Sequence, residues 1–124
     1  MKKVVIHEAP SWGETSIIVL AGGYGIVMVS KMKDSPDVAV IHDLVVHESR
    51  SKKGMGNTLL KEATNAAIDM GAKVVRLSVE MRGWQADWYR RHGFMLMDLS
   101  SFNDCLCYVM EKTIRREAEE PQVP

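Results

Sequence analysis

A short basic segment with two glycines carries the clearest chemical signal in the chain, Arg50-Ser51-Lys52-Lys53-Gly54-Met55-Gly56-Asn57. The apolar spacing of a helix begins at Met55. A helix start presents unpaired N–H groups and about half a positive charge, and glycine lets the backbone approach an anion without a Cβ in the way. The arginine and the lysines add mobile cations, so the segment is suited to a phosphate group.

The spacing excludes two common phosphate-binding motifs. No Gly-Lys-Ser/Thr follows at the place that a P-loop requires, and the third glycine of the dinucleotide-binding fingerprint is absent. A Gly-x-Gly before a helix is by itself also compatible with a plain turn or cap. The residues alone therefore leave a generic phosphate-binding domain open beside a more specific phosphate-bearing ligand.

The charge balance requires any anion site to be local. The 16 basic and 16 acidic residues give a net charge of zero, which removes the basic footprint of a nucleic-acid-binding protein. The N-terminal apolar run is too short for a signal peptide or a membrane span. Cys105 and Cys107 are one residue apart in a predicted strand, where a mutual disulfide would be strained and no second pair completes a metal site. We expect a cytoplasmic protein with reduced thiols, no metal, and no membrane or nucleic-acid partner.

The length of 124 residues suits one domain with a single hydrophobic core. We assign residues 1–112 to that domain and residues 113–124, which are rich in Glu and end in prolines, to a flexible tail. Three antiparallel strands are predicted first, separated by turn-forming residues, at residues 3–7, 15–21 and 24–33.

The next elements must position the basic segment. A nearly continuous apolar run at residues 38–47 reads as a strand covered on both faces. An amphipathic helix follows, from Met55 to a stop at Gly71, and then a strand at residues 74–80, a unit that normally makes a right-handed parallel crossover. The remaining predicted elements are a short helix at residues 84–92, closed by Gly93, and strands at residues 94–98 and 106–112.

Two segments resemble the GNAT superfamily of acyl-CoA N-acyltransferases. Residues 44–60 are similar to that family's central motif, in which a hydrophobic strand end enters an Arg/Gln-x-x-Gly-x-Gly loop and then a helix. Downstream, Trp88-Tyr89-Arg90-Arg91-His92-Gly93-Phe94 is similar to the family's Tyr-x-x-x-Gly-Phe segment. Together the two segments cover roughly residues 38–98 and are far more specific than either alone.

The resemblance implies an α/β (α+β) fold of GNAT type, with a mixed, mostly antiparallel sheet, a central parallel strand-helix-strand unit and two main helices. It also implies acetyl-CoA as acyl donor, with pantetheine in a gap between the splayed fourth and fifth strands. The implied cofactor contacts are the backbone of Leu44, Val45 and Val46 and a pyrophosphate-binding segment with Arg50, Ser51, Lys52, Lys53, Gly54, Met55, Gly56 and Asn57.

The same resemblance implies that Tyr89 is the general acid that protonates the leaving thiolate. Without the Gly-Phe spacing, a packed aromatic would be the preferred interpretation of this residue. An amine acceptor, with a reference pKa near 10.4, must also lose a proton before it attacks. His42 and Asp43, polar residues in an apolar strand, and Glu80, at the end of the next strand, are the candidate bases.

The candidate bases have ordinary structural interpretations as well. His42 or Asp43 can be a satisfied core polar group, and Glu80 a solvated strand end. Because His42 and Asp43 are adjacent on a strand, they should point to opposite faces, and at most one should meet the cleft. His7 and His92 have no evident partner in the sequence and read as surface residues.

Three features depart from the family pattern. Ser51 stands at the Arg/Gln position, with Arg50 one place early, so backbone contacts to the phosphates are expected to dominate. Arg82 stands where an asparagine is often found. Only residues 9–14 lie between the first two strands, where the family usually places two helices that wall the acceptor site. A second subunit could complete this side, giving a homodimer, or it could stay bare to admit a peptide.

We therefore predict an N-acetyltransferase that transfers an acetyl group from acetyl-CoA to an amine of a small molecule or a peptide. The amine would attack directly in a ternary complex, with no covalent enzyme intermediate. The alternative is a non-catalytic acyl-CoA-binding or regulatory module of the same fold, which the missing helices would favour.

Overall fold

The computed structural model describes residues 2–9, 14–22, 25–32, 34–46 and 54–115, with side chains from residue 25 onward. In chain order, these residues form β1 (Lys2–Ala9), β2 (Glu14–Gly22), β3 (Gly25–Met32), β4 (Val38–Val46), α1 (Met55–Asp69), β5 (Val74–Glu80), α2 (Gln85–Arg91), β6 (Met95–Phe102) and β7 (Cys105–Thr113). Each predicted element is present, and most boundaries differ by a few residues.

One seven-stranded sheet, in the order β1-β2-β3-β4-β5-β7-β6, organises the domain. Every neighbouring pair is antiparallel except β4 and β5, which are parallel and are joined through α1. A parallel pair needs a crossover of this kind, because a tight turn can only reverse the chain. The predicted mixed, mostly antiparallel sheet with a central parallel strand-helix-strand unit is confirmed.

The first two strands form a hairpin. Their pairing extends from Lys2 opposite Ala21 to Ala9 opposite Glu14. Only residues 10–13 join them, and four residues are about one helical turn, too few for a pair of helices. The prediction that the family's first helical pair is missing is confirmed.

The alanine-rich helix α1 packs closely on the centre of the sheet. Its buried side chains, Leu59, Leu60, Ala63, Ala66 and Ala67, join a core that includes Val27, Val29, Ala39, Ile41, Val75 and Leu77. Gly25 lies beneath the helix, and a Cβ there would be only 2.6 Å from Cδ1 of Leu59. Full burial of a leucine stabilises a fold by roughly 1.5–3 kcal/mol. The fully buried Leu59 therefore holds the first turns of α1 in place.

Both helices end at glycines in the left-handed region, as the sequence predicts. Gly71 follows α1 with φ of 87°, and Gly93 follows α2 with φ of 93°. Nζ of Lys31 donates to the carbonyl of Met70 at 2.9 Å, which satisfies one of the terminal carbonyls of α1. Within the described chain, neither helix is long and apolar enough to cross a membrane.

The last strands are longer than predicted. β6 continues beyond residue 98 to Phe102 and joins β7 through a turn in which Asn103 and Asp104 have φ of 49° and 63°. Asn and Asp tolerate the left-handed conformation that a two-residue type I′ turn requires. The Asn-Asp pair was therefore the local signal for this hairpin.

The domain also extends beyond its predicted end at Lys112. Thr113 ends β7, and Ile114 is buried and donates its N–H to the carbonyl of Lys73 at 2.9 Å. This corrects the predicted boundary by two residues, because an apolar side chain and a backbone bond hold residue 114 to the sheet. Residues 116–124, the rest of the predicted tail, lie outside the described residues.

Strand β6 forms one edge of the sheet and is exposed along its length. Its large apolar side chains, Met95, Leu96, Met97, Leu99 and Phe102, each expose more than half of their surface. A bulge interrupts the ladder between Leu96 and Asp98, and the Asp98 carboxylate accepts the N–H of Leu99 at 2.7 Å. Both features hinder strand addition at this edge. The homodimer stays a prediction.

Candidate active site

A bulge in β4 shapes the end of that strand. Ile26 of β3 lies opposite Val45, and Met28 lies opposite His42, so β4 has one extra residue over this stretch. Asp43 has φ of 50°, in the left-handed region that side chains other than glycine rarely adopt. The bulge therefore lies between His42 and Val45 and includes the candidate base Asp43.

The bulge also shifts the alternation of β4 by one residue. Ala39 and Ile41 before it pack in the core on the side of α1, and so do Leu44 and Val46 after it. Regular alternation would have turned Leu44 and Val46 to the opposite face. Val45, the middle residue of the predicted pantetheine contact, is exposed.

The strands β4 and β5 separate beyond their first three pairs. Their ladder ends at Val40 opposite Arg76, whereas β4 continues to Val46 and β5 to Glu80. Among the described residues, the backbone groups that face each other across these strand ends have no ladder partner, and they are available to an extended ligand. The predicted splayed gap is confirmed.

The first turn of α1 keeps its backbone donors available. Gly54 precedes the helix with φ of 77°, no side chain caps the turn, and the first helical bond runs from N–H of Thr58 to the Gly54 carbonyl at 3.0 Å. The N–H groups of Met55, Gly56 and Asn57 therefore have no helical acceptor. The first turn also carries no acidic side chain. The other residues of the predicted segment, Arg50, Ser51, Lys52 and Lys53, lie outside the described residues.

Tyr89 is the buried residue of α2, with 8% of its surface exposed. Its ring meets those of Trp88 and Phe94 edge-on, at centroid distances of 4.9 and 5.3 Å. Burial raises the pKa of Tyr89 from 10.0 to about 12, because a phenolate would be poorly solvated in this position. The phenol therefore holds its proton throughout the neutral pH range, which a general acid requires.

His92 joins the two helices, which corrects its interpretation as a surface residue without a partner. Its Nδ1 donates to the carbonyl of Trp88 at 2.7 Å, and its Nε2 lies 2.8 Å from Oδ1 of Asn57. The imidazole also lies against the Trp88 indole, with a centroid distance of 4.1 Å. Asn57 is 35 positions away in the sequence, and no local pattern indicates that contact.

A cavity of about 830 Å³ lies beside the separated strand ends, and His42, Asp43 and Glu80 all line it. The expectation that at most one of His42 and Asp43 meets the cleft is wrong, because the bulge breaks the alternation on which it rested. The β6–β7 hairpin supplies much of the remaining wall, including Ser100, Ser101, Phe102 and Asn103. Sequence reasoning missed these residues, since the sheet order brings the hairpin beside β5 without a local motif.

The three candidate bases differ in their surroundings. Nε2 of His42 lies 2.8 Å from Oγ of the fully buried Ser30, so the sheet uses part of the hydrogen-bonding capacity of the imidazole. Asp43 and Glu80 are exposed, and neither forms an ion pair within the described part of the chain. The two carboxylates are therefore the more accessible proton acceptors.

A second cavity, a groove of about 690 Å³, lies along α1 and reaches Asn57 in its first turn. Four basic residues and one acidic residue line it, and the basic ones are Lys61, His92, Lys112 and Arg115. The lysines and the arginine form no ion pair with any described residue. In a chain of zero net charge, this groove is a local electropositive region next to the proposed phosphate site.

The described residues contain no group of three or more His, Cys, Asp or Glu that could hold a metal ion. Cys105 and Cys107 are free thiols, the first exposed and the second buried. Both contribute to the wall of the larger cavity. Among the described residues, the side chains that line this cavity therefore include carboxylates, an imidazole, hydroxyls and two thiols.

Comparison with known proteins bears directly on this arrangement. No curated protein sequence matches the chain. Among solved structures, nourseothricin acetyltransferase is 25% identical with a TM-score of 0.68, covering 81% of this chain and 65% of that one. An acetyltransferase from Bacillus subtilis in complex with CoA is 19% identical with a TM-score of 0.66, covering 81% and 77%. A GNAT-family acetyltransferase from Elizabethkingia anophelis with acetyl-CoA bound is 14% identical with a TM-score of 0.65, covering 80% and 76%.

The acetyltransferase (GNAT) domain model matches residues 12–96. That range contains the separated strands, the first turn of α1 and the whole of α2. It also contains both sequence segments that resemble the family. The chain therefore belongs to the GNAT acetyltransferase domain family and is an N-acetyltransferase that uses acetyl-CoA as its acyl donor.

Proposed function

We propose that this enzyme transfers the acetyl group directly to an amine, with donor and acceptor meeting in the gap between β4 and β5. The observation that carries the proposal is the loss of strand pairing beyond Val40 and Arg76. The gap lies between two sites of different chemistry. The first turn of α1 offers backbone donors to an anion, and the larger cavity offers the carboxylates of Asp43 and Glu80 to a cation.

Acetyl-CoA supplies an activated thioester when it is bound. We assign its pyrophosphate to the N–H groups of Met55, Gly56 and Asn57, which have no helical acceptor. Gly54 supports this assignment, because no atom of the other described residues lies within 4 Å of the place where its Cβ would be, and glycine lets an anion approach the backbone closely. The remaining predicted contacts are the cations and serine of the preceding segment, Arg50, Ser51, Lys52 and Lys53, and the backbone of Leu44, Val45 and Val46 beside the gap.

The electropositive groove extends the same assignment to the nucleotide end of the cofactor. It begins at Asn57, where the pyrophosphate site ends, and has room for a nucleoside phosphate. Lys61 and Lys112 carry charges that no described carboxylate neutralises. We infer that these lysines bind the 3′-phosphate that distinguishes coenzyme A from dephospho-coenzyme A.

Tyr89 fits the role of general acid. A buried neutral phenol can donate a hydrogen bond to the sulfur in surroundings where a developing negative charge is most costly. Its raised pKa keeps the donor proton in place at neutral pH. In the overall reaction, the new C–N bond replaces the C–S bond, and Tyr89 supplies the proton that the thiolate acquires.

The nitrogen of the acceptor must lose a proton as the C–N bond forms. We assign this proton to Glu80, directly or through a water, because its carboxylate ends β5 beside the gap and has no ion-pair partner among the described residues. Asp43 is the second candidate. His42 is the third, since its Nε2 already contacts Ser30.

The lining of the larger cavity also limits the acceptor. The described residues that line it supply two carboxylates and the hydroxyls of Ser78, Ser100 and Ser101, and none of them is a lysine or an arginine. Such a wall favours a positively charged amine that also carries hydrogen-bonding groups, and it disfavours an anionic acceptor. An amine-bearing small molecule and a peptide amine both satisfy this description.

The test is a rate measurement with acetyl-CoA and a panel of cationic amines and peptides. We expect Tyr89→Phe to lower turnover about a hundredfold, within the usual range for general acid catalysis, and to change the acetyl-CoA Kd less than twofold. Tyr108→Phe, at a half-buried tyrosine of β7, is the matched control and should be silent.

The absence of a helical pair between β1 and β2 favours one other function. A non-catalytic module would bind acetyl-CoA and acetylate no amine in the panel. Tyr89→Phe would then have no measurable consequence, and the enzymatic proposal would have to be abandoned.

A further inference from the structure

Two side chains of the α2 region reach across to the first turn of α1. The Trp88 indole lies over Gly56, where a Cβ would be 3.4 Å from its Cζ2. Nε2 of His92 lies 2.8 Å from Oδ1 of Asn57. We call these four residues the clamp. Gly56 and Asn57 are also the residues whose N–H groups we assign to pyrophosphate, so this single turn faces the ligand and holds α2.

The second helix depends on contacts of this kind. It has only seven residues, and its N-terminus at Trp84 has no side-chain cap. Helices this short are marginal by themselves, and neighbouring groups must set their position. His92 satisfies one carbonyl of the last turn by donating Nδ1–H to Trp88 at 2.7 Å. The Trp88 ring then meets Tyr89 edge-on at 4.9 Å.

The hydrogen bonds of His92 fix its orientation. A backbone carbonyl can only accept, so Nδ1 must carry a hydrogen toward Trp88. The Asn57 amide has an acceptor on one side and a donor on the other, and rotation of the amide lets it bind Nε2 in either protonation state. The link from Asn57 through His92 to the end of α2 therefore needs a hydrogen on Nδ1, and the Asn57 amide can serve Nε2 as donor or acceptor.

We propose that His92 is a positioning residue that couples binding of the pyrophosphate end of the cofactor to the placement of Tyr89. A ligand that orders Asn57 also fixes His92, which in turn fixes the end of α2 and the indole against which Tyr89 packs. His92 contacts no reacting atom. This inference rests on the proposed function, because it gives Tyr89 the role of general acid. The family's Tyr-x-x-x-Gly-Phe motif does not specify this coupling. Trp88 precedes the tyrosine of the motif, and His92 occupies one of its unspecified positions.

The kinetic test is a pair of double-mutant cycles at saturating acetyl-CoA. We expect His92→Ala to lower kcat about tenfold with less than a twofold change in acceptor KM, and Asn57→Ala to lower kcat similarly. The double variant should be no slower than the slower single variant, because both changes break one link. In the Tyr89→Phe background, His92→Ala should cause no further loss.

Conservative and control variants separate positioning from general damage. His92→Asn retains a donor near the Nδ1 position and should keep the end of α2 capped, but it cannot reach Asn57, so turnover should stay low. The longer side chain of His92→Gln reaches further toward Asn57, so this variant should recover part of the lost turnover. Arg91→Ala, at the exposed neighbouring residue, should be silent. Multiplicative losses in either cycle, or a fully active His92→Asn, would overturn the proposal.

A binding measurement tests the clamp without turnover. The chain has three tryptophans, and replacing Trp12 and Trp84 by Phe leaves Trp88 as the only reporter. Acetyl-CoA should change the emission of Trp88, and His92→Ala should reduce that change by more than half. If Tyr89→Phe were silent, the assignment of Tyr89 as general acid would fail. The emission measurement would still test whether cofactor binding is coupled to the placement of α2. If the emission of Trp88 stayed the same at saturating acetyl-CoA, the proposed coupling would be contradicted.

Discussion

The donor side and the acceptor side of the site are built in different ways. The donor side uses one continuous piece of chain, the end of β4 and the start of α1, and it offers backbone groups and glycines. The acceptor side collects side chains from β4, β5 and the β6–β7 hairpin. Backbone groups persist when side chains change, whereas a side-chain wall can be altered one residue at a time. Variants of the donor-side glycines should therefore change cofactor affinity, and variants of the acceptor-side wall should change turnover.

The largest expected effect is on the acceptor side. Glu80→Gln removes the proposed proton acceptor without changing the size of the side chain, and we expect turnover at neutral pH to fall by a hundredfold or more. The acetyl-CoA Kd, measured by calorimetry, should stay within about twofold. This split between turnover and affinity is what a base on the acceptor side predicts.

Asp43→Asn completes that experiment. If Asp43 is the base, this variant loses turnover and Glu80→Gln does not, which would reassign the base while leaving the acceptor-side location intact. Glu62→Gln, on α1 away from the cavity, should keep the turnover and the acetyl-CoA Kd of the wild type. A rise in acetyl-CoA Kd with Glu80→Gln would instead show that the two sides are not separate.

The second effect belongs to the donor side. Gly54→Val places a branched side chain at φ of 77°, where the left-handed conformation costs roughly 1–2 kcal/mol, and directs it into the open space proposed for the anion. We expect the acetyl-CoA Kd to rise at least about tenfold. The stabilisation that a saturating cofactor gives, about 2.7 kcal/mol at a hundred times Kd, should shrink accordingly in thermal unfolding.

Gly71→Val is the matched control. It adds the same side chain at φ of 87° at the opposite end of α1, so it should cost comparable stability and leave the acetyl-CoA Kd unchanged. Equal changes of Kd in both variants would mean that the helix, and not a phosphate site, responds to the substitution.

The donor side is also the half that could be predicted from the sequence. Its helix start, glycines and hydrophobic strand end are adjacent in the chain, so local spacing was enough to place them. The parallel crossover followed from the same pattern, and Gly71 and Gly93 marked the ends of the helices. What the pattern could not show was the bulge at Asp43, where φ is 50°, because a single aspartate between apolar strand residues, without a neighbouring turn residue, does not indicate a left-handed conformation.

The acceptor side and the clamp needed the fold. Ser100 and Phe102 reach the cavity only because the sheet order places β7 beside β5 and β6 at the edge. The sequence alone predicts a surface residue at His92, because its partner, Asn57, is on another helix. Contacts of this kind depend on how helices and strands are arranged in space, and periodicity within one element does not contain that information.

The burial of Tyr89 predicts an alkaline effect on stability. Because its pKa rises from 10.0 to about 12 on folding, the folded state holds this proton more tightly than the unfolded chain. Its contribution to stability is complete below pH 10 and is lost as the pH rises toward 12. Between pH 9 and pH 11, the free energy of unfolding measured with urea should therefore fall by roughly 1 kcal/mol more in the wild type than in Tyr89→Phe. Parallel losses in the two proteins would mean that Tyr89 is not buried as described.

The smallest effect tests the far end of the donor side. Lys112→Ala removes one charge from the groove, and a partly solvated contact between a lysine and a phosphate is worth on the order of 1 kcal/mol. We expect about a fivefold weaker affinity for coenzyme A and no change for dephospho-coenzyme A, both measured by displacement of acetyl-CoA. Lys73→Ala, an exposed lysine outside the groove, should weaken neither. Equal weakening of both ligands by Lys112→Ala would place the nucleotide elsewhere, and the donor side would then end at the first turn of α1.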